Sequence, residues 1–371
     1  MIKLIVLGIE STAHTFGAGL VESNVKNAAE VSKKNTRVLS NEFDKHPSSL
    51  EGFIPRKLAE HHARVAKKVL KNCLEEAGVS LREVDAIAYS QGPGIGACLR
   101  LGFVAARSLA LLAQKPLVPV NHAIAHVEVG KWACGCADPL AVYVSGGNTQ
   151  IAAKQPVRRG GGGRSAAKNS GKIFSYKVLG ETLDVGIGNF LDVVGRKLAL
   201  SPPDAVGVMN KAGEYAEQCR QGSHGGLDGG QPKYFELPYT VKGMNLAFSG
   251  LQTAVLRAAA AKKISLEQLC YSTQETAFAM LVEASERALC HSAKPEALLV
   301  GGVAKNSRLQ QMFSLMCLEQ GTRFAVVPAE YAGDQGAMIA LAGLKNFLSK
   351  TKFASVEPNQ DLRLDSQEIN W

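Results

Sequence analysis

Apolar and polar positions along this chain follow a pattern that occurs twice. An apolar run at 4–9 leads into the polar turn 10–15 and a second apolar run at 16–21. That order predicts strand, turn, strand. It returns at 140–144, 145–149 and 150–153. A second unit is also duplicated. Residues 86–90 read as a strand, 91–96 as a Gly-rich loop, and the text through 112 as an apolar helix. Residues 297–300, 301–306 and the text through 316 match it. Short strands at 117–120 and 324–327 follow, just ahead of His122 and Asp334. Strands alternating with helices predict an α/β fold with mostly parallel, covered sheets. Two copies predict two similar lobes with a ligand cleft between them.

Two segments break the pattern. Residues 156–172 (PVRRGGGGRSAAKNSGK) are basic, Gly-rich and aperiodic, which predicts a flexible loop. Residues 202–233 are rich in Pro and Gly breakers and predict mostly loop around one short helix near 211–220. The expected division is a first lobe at 1–135, a second at 136–350 and a tail at 351–371. The whole length of 371 residues suits two such lobes.

Composition narrows the setting. At 46% hydrophobic the chain is not disordered wholesale. No unbroken run of 18 apolar residues occurs, so neither a spanning helix nor a membrane partner is expected. The first residues enter strand text with no basic-then-apolar leader, so a secretory or mitochondrial address is not expected. The net charge of +9 fits a polyanionic partner such as nucleic acid. Eight cysteines include no CxxC pair, which argues against a zinc knuckle and for buried free thiols in a reducing compartment.

The sharpest chemical signal is His122-Ala-Ile-Ala-His126. Histidines four apart share a helix face and can reach one metal, although HxxxH alone is more often two capping or surface histidines. Its position after a strand, and Asp334 at the matching point of the second half, favour a divalent-metal site. Ala123 excludes the zinc-protease pattern, which needs a Glu after the first His. The turns at Ser145-Gly146-Gly147 and Gly301-Gly302 allow close backbone approach to a phosphate, or simply turn the chain. Asn306 is a candidate base or ribose contact or a helix N-cap. Asp192, in apolar helical text, suits a ribose hydroxyl. Arg56, Lys57, Arg64, Lys67, Lys68 and Lys71, with Arg158, Arg159 and Arg164, suggest phosphate-backbone contact; most such faces are merely solvated.

Ten ordered motifs, among them GIESTAHTFGAGLV, NHAIAHVEVG, YVSGGNTQ, GETLDVGIGNFLD, YTVKGMNLAFSGL, GGVAKNSRL and GDQGAMIA, span nearly the whole chain. Together they resemble the tRNA threonylcarbamoyladenosine synthase family, in its archaeal and eukaryotic cytosolic branch. The resemblance implies an actin/Hsp70-like (ASKHA) fold of two duplicated RNase H-like lobes. It implies transfer of a threonylcarbamoyl group from threonylcarbamoyl-AMP to N6 of adenosine 37 in ANN-decoding tRNA. It implies work inside a KEOPS complex with a small kinase/ATPase and a dimerising small subunit, in the cytoplasm and also the nucleus. By motif, His122, His126 and Asp334, with Tyr143 close by, would hold one divalent metal, iron or zinc. Tyr143, Val144, Ser145, Gly146, Gly147, Asp192, Gly207 and Asn306 would hold the adenylate. The chain departs from the family pattern where a ribose-contacting Glu is usual: four residues after Gly207 stands Lys211. That departure gives weight to an alternative, a non-catalytic nucleotide-binding scaffold. A sugar or acyl kinase of the same superfamily would need no protein histidines on its metal.

Overall fold

The computed structural model describes residues 3–47, 52–157, 173–221 and 230–371. The first half runs β1 (Leu4–Glu10), β2 (Thr15–Ser23), β3 (Thr36–Lys45), α1 (Pro55–Ala77), β4 (Ala86–Gly92), α2 (Gly96–Ala113), β5 (Leu117–Asn121) and α3 (His122–Cys134). The second half opens with β6 (Leu140–Val144), β7 (Thr149–Pro156), β8 (Phe174–Glu181), α4 (Ile187–Lys197) and α5 (Ala205–Arg220). A small hairpin, β9 (Val241–Lys242) and β10 (Asn245–Leu246), precedes α6 (Ser249–Ala261) and α7 (Leu266–Ser292). Then come β11 (Glu296–Val300), a 3-10 turn (Gly302–Lys305), α8 (Ser307–Glu319), β12 (Arg323–Val326), α9 (Ala329–Ala332), α10 (Gly336–Leu348) and β13 (Glu368–Ile369).

The duplication is real in three dimensions. The first sheet has the order β3-β2-β1-β4-β5. The second, read from β8, has β8-β7-β6-β11-β12, with β13 added beyond β8. In both, the first three strands pair antiparallel and the last two parallel.

Period-two alternation decides what each face of the first sheet meets. Ile5, Leu7 and Ile9 face α1 and α2, joining Val65, Val69 and Phe103. Val6, Ala88, Val118 and Val120 face the other way, onto Ala125 and Val129 of α3 and Met338 to Leu344 of α10. The opposite side of α3, with Ile124 and Val127, packs on the second sheet. Helices α3 and α10 therefore lie between the two sheets, which explains why α3 is buried nearly all round. Helix α10 comes late in sequence yet covers the first sheet. It lies so close that a Cβ on Gly19 would sit 2.2 Å from the backbone nitrogen of Ala337.

An ion cluster crosses the same layer. Glu128 of α3 is wholly buried and accepts from Lys345 of α10 (2.5 Å), Tyr176 of β8 (2.5 Å) and Lys131 (3.3 Å). The tail then straps the halves. Gln91 donates to the carbonyls of Ser355 and Glu357, Asn121 to that of Arg363, and β13 pairs with β8. Trp371 ends beside Lys345 and Lys154, its indole N–H on Asn346.

Three expectations need correction. The helix placed near 211–220 is a full α5 from Ala205, because Asp204 after two prolines caps it, accepting from the N–H of Val206. Helix α2 is long and apolar enough to cross a membrane by length and composition, since Arg100 and Arg107 only dilute it. Its buried side, Cys98, Leu99, Phe103 and Ala106, packs within the first half. Cys290 is exposed; the other cysteines are free as expected, all buried but the half-buried Cys134.

Candidate active site

The site forms where β5 ends and α3 begins. Asn121 caps α3, accepting from the N–H groups of Ala123 and Ile124. That fixes the first turn, and with it His122 and His126, one above the other on one face. Asp334 arrives from the second half, between α9 and α10. Its Oδ1 lies 3.2 Å from His126 Nε2 and 3.6 Å from His122 Nε2. One ligand atom from each of the three residues falls within 4.8 Å of the others. The Tyr143 ring, at the end of β6, is 5.0 Å from that of His126.

The carboxylate that orients this group is Glu10, which sequence reasoning missed. Residues 6, 8 and 10 of β1 point to the inner layer, so an acid at 10 must face the helices between the sheets. Its Oε2 accepts from His122 Nδ1 at 2.9 Å, and its Oε1 takes the Thr12 N–H (2.6 Å) and hydroxyl (2.5 Å). With Nδ1 held by Glu10, Nε2 is the His122 nitrogen left to face Asp334 and, once deprotonated, to meet a metal. An acid in the otherwise apolar β1 text was the available signal.

Electrostatics favour positive charge here, carried by a proton on His122 that a bound cation would displace. Burial pushes His122 down, but the charge and hydrogen bond of Glu10 and the charge of Asp334 outweigh it and raise it to about 9. His126 is lowered, chiefly by burial. Asp334, although buried, is held well below the usual carboxylate range by the two histidines. Burial raises the Tyr143 phenol, which stays neutral. Two imidazoles and a carboxylate whose ligand atoms converge fit a divalent ion of the iron or zinc type once His122 gives up its proton.

The expected nucleotide residues are more dispersed in role. Val144 ends β6, and the turn after it is clasped by α4: the N–H groups of Gly188 and Asn189 donate to the carbonyls of Ser145 and Gly146. The amides of Gly146 and Gly147 point to no partner among the described residues, and a Cβ on either would meet nothing within 4 Å. Gly301 has φ +99° and sits where a Cβ would be 2.2 Å from the Val144 carbonyl. Its glycine therefore serves strand packing as well as the loop. Asn306 is the N-cap of α8, accepting from Leu309 N–H at 2.9 Å, and its amide donates to Gln274. Asp192 accepts from the Ala205 N–H at 2.8 Å, at the start of α5, and burial raises its pKa. Gly207 lies inside α5, where a Cβ would strike the Pro202 carbonyl. Lys211, one turn on, is engaged by Glu214 (2.6 Å) and Glu267 (3.5 Å). The basic residues of α1 are exposed, with Arg56 and Lys71 paired to Glu60 and Glu75. Arg158, Arg159 and Arg164 lie outside the described residues.

Comparison with known proteins decides the family. The family model for tRNA N6-adenosine threonylcarbamoyltransferase matches residues 37–341. The chain belongs to this family. A member from Staphylothermus marinus is 44% identical over 98% of this chain and 99% of its own. One from Thermococcus sibiricus is 44% identical over 99% of this chain and 100% of its own. Among solved structures, HypF from T. kodakarensis superposes with TM-score 0.55 over 93% of this chain and 48% of its own, at 14% identity. That likeness speaks for the fold alone, which is ASKHA, as the motifs implied. Members of the family are transferases that modify tRNA, and the family membership carries that activity class to this chain.

Proposed function

We propose that this protein transfers the threonylcarbamoyl group of threonylcarbamoyl-AMP to N6 of adenosine 37 in ANN-decoding tRNA, releasing AMP. The observation that carries the reading is the convergence of His122, His126 and Asp334 from opposite halves, in a chain of this family. In the transfer, N6 attacks the carbamoyl carbon, the bond from that carbon to the phosphate oxygen breaks, and AMP leaves with the electron pair. The N6 proton passes to the leaving phosphate or to water.

His122, His126 and Asp334 would hold the metal, with Tyr143 beside them. When bound, such an ion supplies charge stabilisation at oxygens that become more negative in the transition state. The chain does the rest. Glu10 fixes the His122 ring, and the free amides of Gly146 and Gly147 offer donors to the adenylate phosphate. An exocyclic amine is a poor nucleophile, so holding it against the carbonyl supplies much of the rate. Val144, Ser145, Asp192, Gly207 and Asn306 stay in the proposed adenylate environment, Asp192 with one oxygen and Asn306 with both side-chain groups already used internally.

The proposal extends to a KEOPS-type assembly with a small kinase/ATPase and a dimerising small subunit. It places the reaction in the cytoplasm and also the nucleus, and free cysteines fit such reducing compartments. Reconstitution with those subunits, threonylcarbamoyl-AMP and an ANN-decoding tRNA tests it, read by nucleoside mass spectrometry. Wild type should form the modified adenosine and His122→Ala should not. A wild type that binds nucleotide but forms no product would favour the scaffold reading.

A further inference from the structure

A cavity of about 450 Å³ opens at Asp334, which is part of its wall. Its wall includes Phe43, Lys45, Lys305, Tyr331 and Gly333. Lys45 closes β3 in the first half, and Lys305 ends the 3-10 turn of the second. The two ammonium groups thus come to one cavity from opposite halves. Neither has a carboxylate within ion-pair distance among the described residues, although Glu76, Glu330 and Asp334 also line the cavity. Lys45 Nζ rests 4.9 Å from the Phe43 ring centroid and 3.7 Å from where a Cβ on Gly333 would be. Phe43 is 46% exposed, unusual for a phenylalanine.

We propose that Lys45 and Lys305 form a subsite for a phosphodiester of the tRNA, with the exposed Phe43 ring as a stacking face for a neighbouring unpaired base. The inference rests on the transferase reading and names where its RNA substrate is gripped. Two unpaired cations in one cavity repel, and burial with the Lys45 charge already lowers Lys305, so an anion relieves the arrangement. Lysines act on phosphate as point charges. An exposed aromatic ring beside cations is the combination that grips single-stranded nucleic acid. The acyl donor also carries an adenine, but its proposed contacts at Gly146, Gly147, Asp192 and Asn306 do not line this cavity.

The test measures Lys45→Gln, Lys305→Gln, the double variant and Phe43→Leu in the reconstituted reaction, varying tRNA, acyl-adenylate and salt. The double variant should raise the KM for tRNA about tenfold and reduce the salt dependence of log KM by about one unit per lysine lost. Phe43→Leu should raise the same KM without changing the salt slope. The KM for threonylcarbamoyl-AMP should stay where it was. An unchanged tRNA KM overturns the subsite, and so does an effect confined to the acyl-adenylate, which would mark a small-molecule anion site instead. If wild type makes no product, the transferase reading fails separately. Filter binding of the tRNA to wild-type and double-variant chains then decides the subsite: equal affinities sink it, and weaker, less salt-sensitive binding by the variant supports it.

Discussion

Replacing Lys345 by Met should be among the costliest single changes in the molecule. Glu128 has no exposed surface, and its two oxygens divide their partners: Oε1 takes Tyr176 and Lys131, and Oε2 takes Lys345. Met fills similar space but leaves Oε2 buried without a cation. Breaking a buried pair from one side costs about 3–5 kcal/mol. Against a typical total stability of about 5–15 kcal/mol, that is a large share. Urea unfolding followed by tryptophan fluorescence suits the question, because Trp371 lies 4.8 Å from Lys345 Nζ and Trp132 is on the same α3. The double variant Glu128→Gln/Lys345→Met removes both charges and should recover more than 1 kcal/mol of the single loss, as a coupled pair does. A loss below about 1 kcal/mol in Lys345→Met would refute the reasoning, since Lys131 would then have swung over to serve both oxygens. So would a double variant as unstable as the sum of the two singles.

Four further outcomes follow from the same geometry. Burial pushes Glu128 up, but Lys131, Lys345 and the Tyr176 hydroxyl hold it well below the ordinary carboxylate value. Its stabilisation is therefore present above that ordinary value, near pH 4.5, and lost as pH falls below it; wild type should lose stability there more steeply than Glu128→Gln. Glu10→Gln should weaken divalent-metal binding about 10–100-fold in a chelator competition, and unchanged affinity would remove Glu10 from its orienting role. Gly19→Ala drives a Cβ into the backbone of Ala337, and its overpacking should cost about 1–3 kcal/mol in thermal or urea melts, with weaker metal binding because Asp334 precedes α10. Asn306→Ala should cost about 1 kcal/mol of stability through the lost cap on α8; a rise in the acyl-adenylate KM beyond that would show a nucleotide contact as well.

The duplicated architecture was legible because alternation and Gly-rich turns are local. The HxxxH spacing was legible for the same reason, and the matching place of Asp334 followed from the repeat. Third strands such as β3 and β8 were not read, since neither carries a clean alternation: β3 is an exposed edge with many polar residues, and β8 is half-buried. The α5 start was missed because prolines were read as breakers, when Pro-Pro-Asp is also how a helix begins. Glu10, Glu128 and the tail strap depend on contacts between residues more than a hundred positions apart, which no window on the sequence contains. Asn306 and Asp192 show the converse: their local roles, a cap and a backbone acceptor, are visible in the structure and compete with the ligand roles that motif reading gave them.

The placement of α10 bears on how the chain comes off the ribosome. The inner face of the first sheet, with Val6, Ala88, Val118 and Val120, is covered by residues 338–344. While the nascent polypeptide is growing, that apolar face has only α3 against part of it until nearly all of the second half has been made. The first half therefore cannot finish folding in the order in which it is synthesised. A fragment ending after α3 would present the part of that face that α10 covers to solvent, and to every other copy of itself.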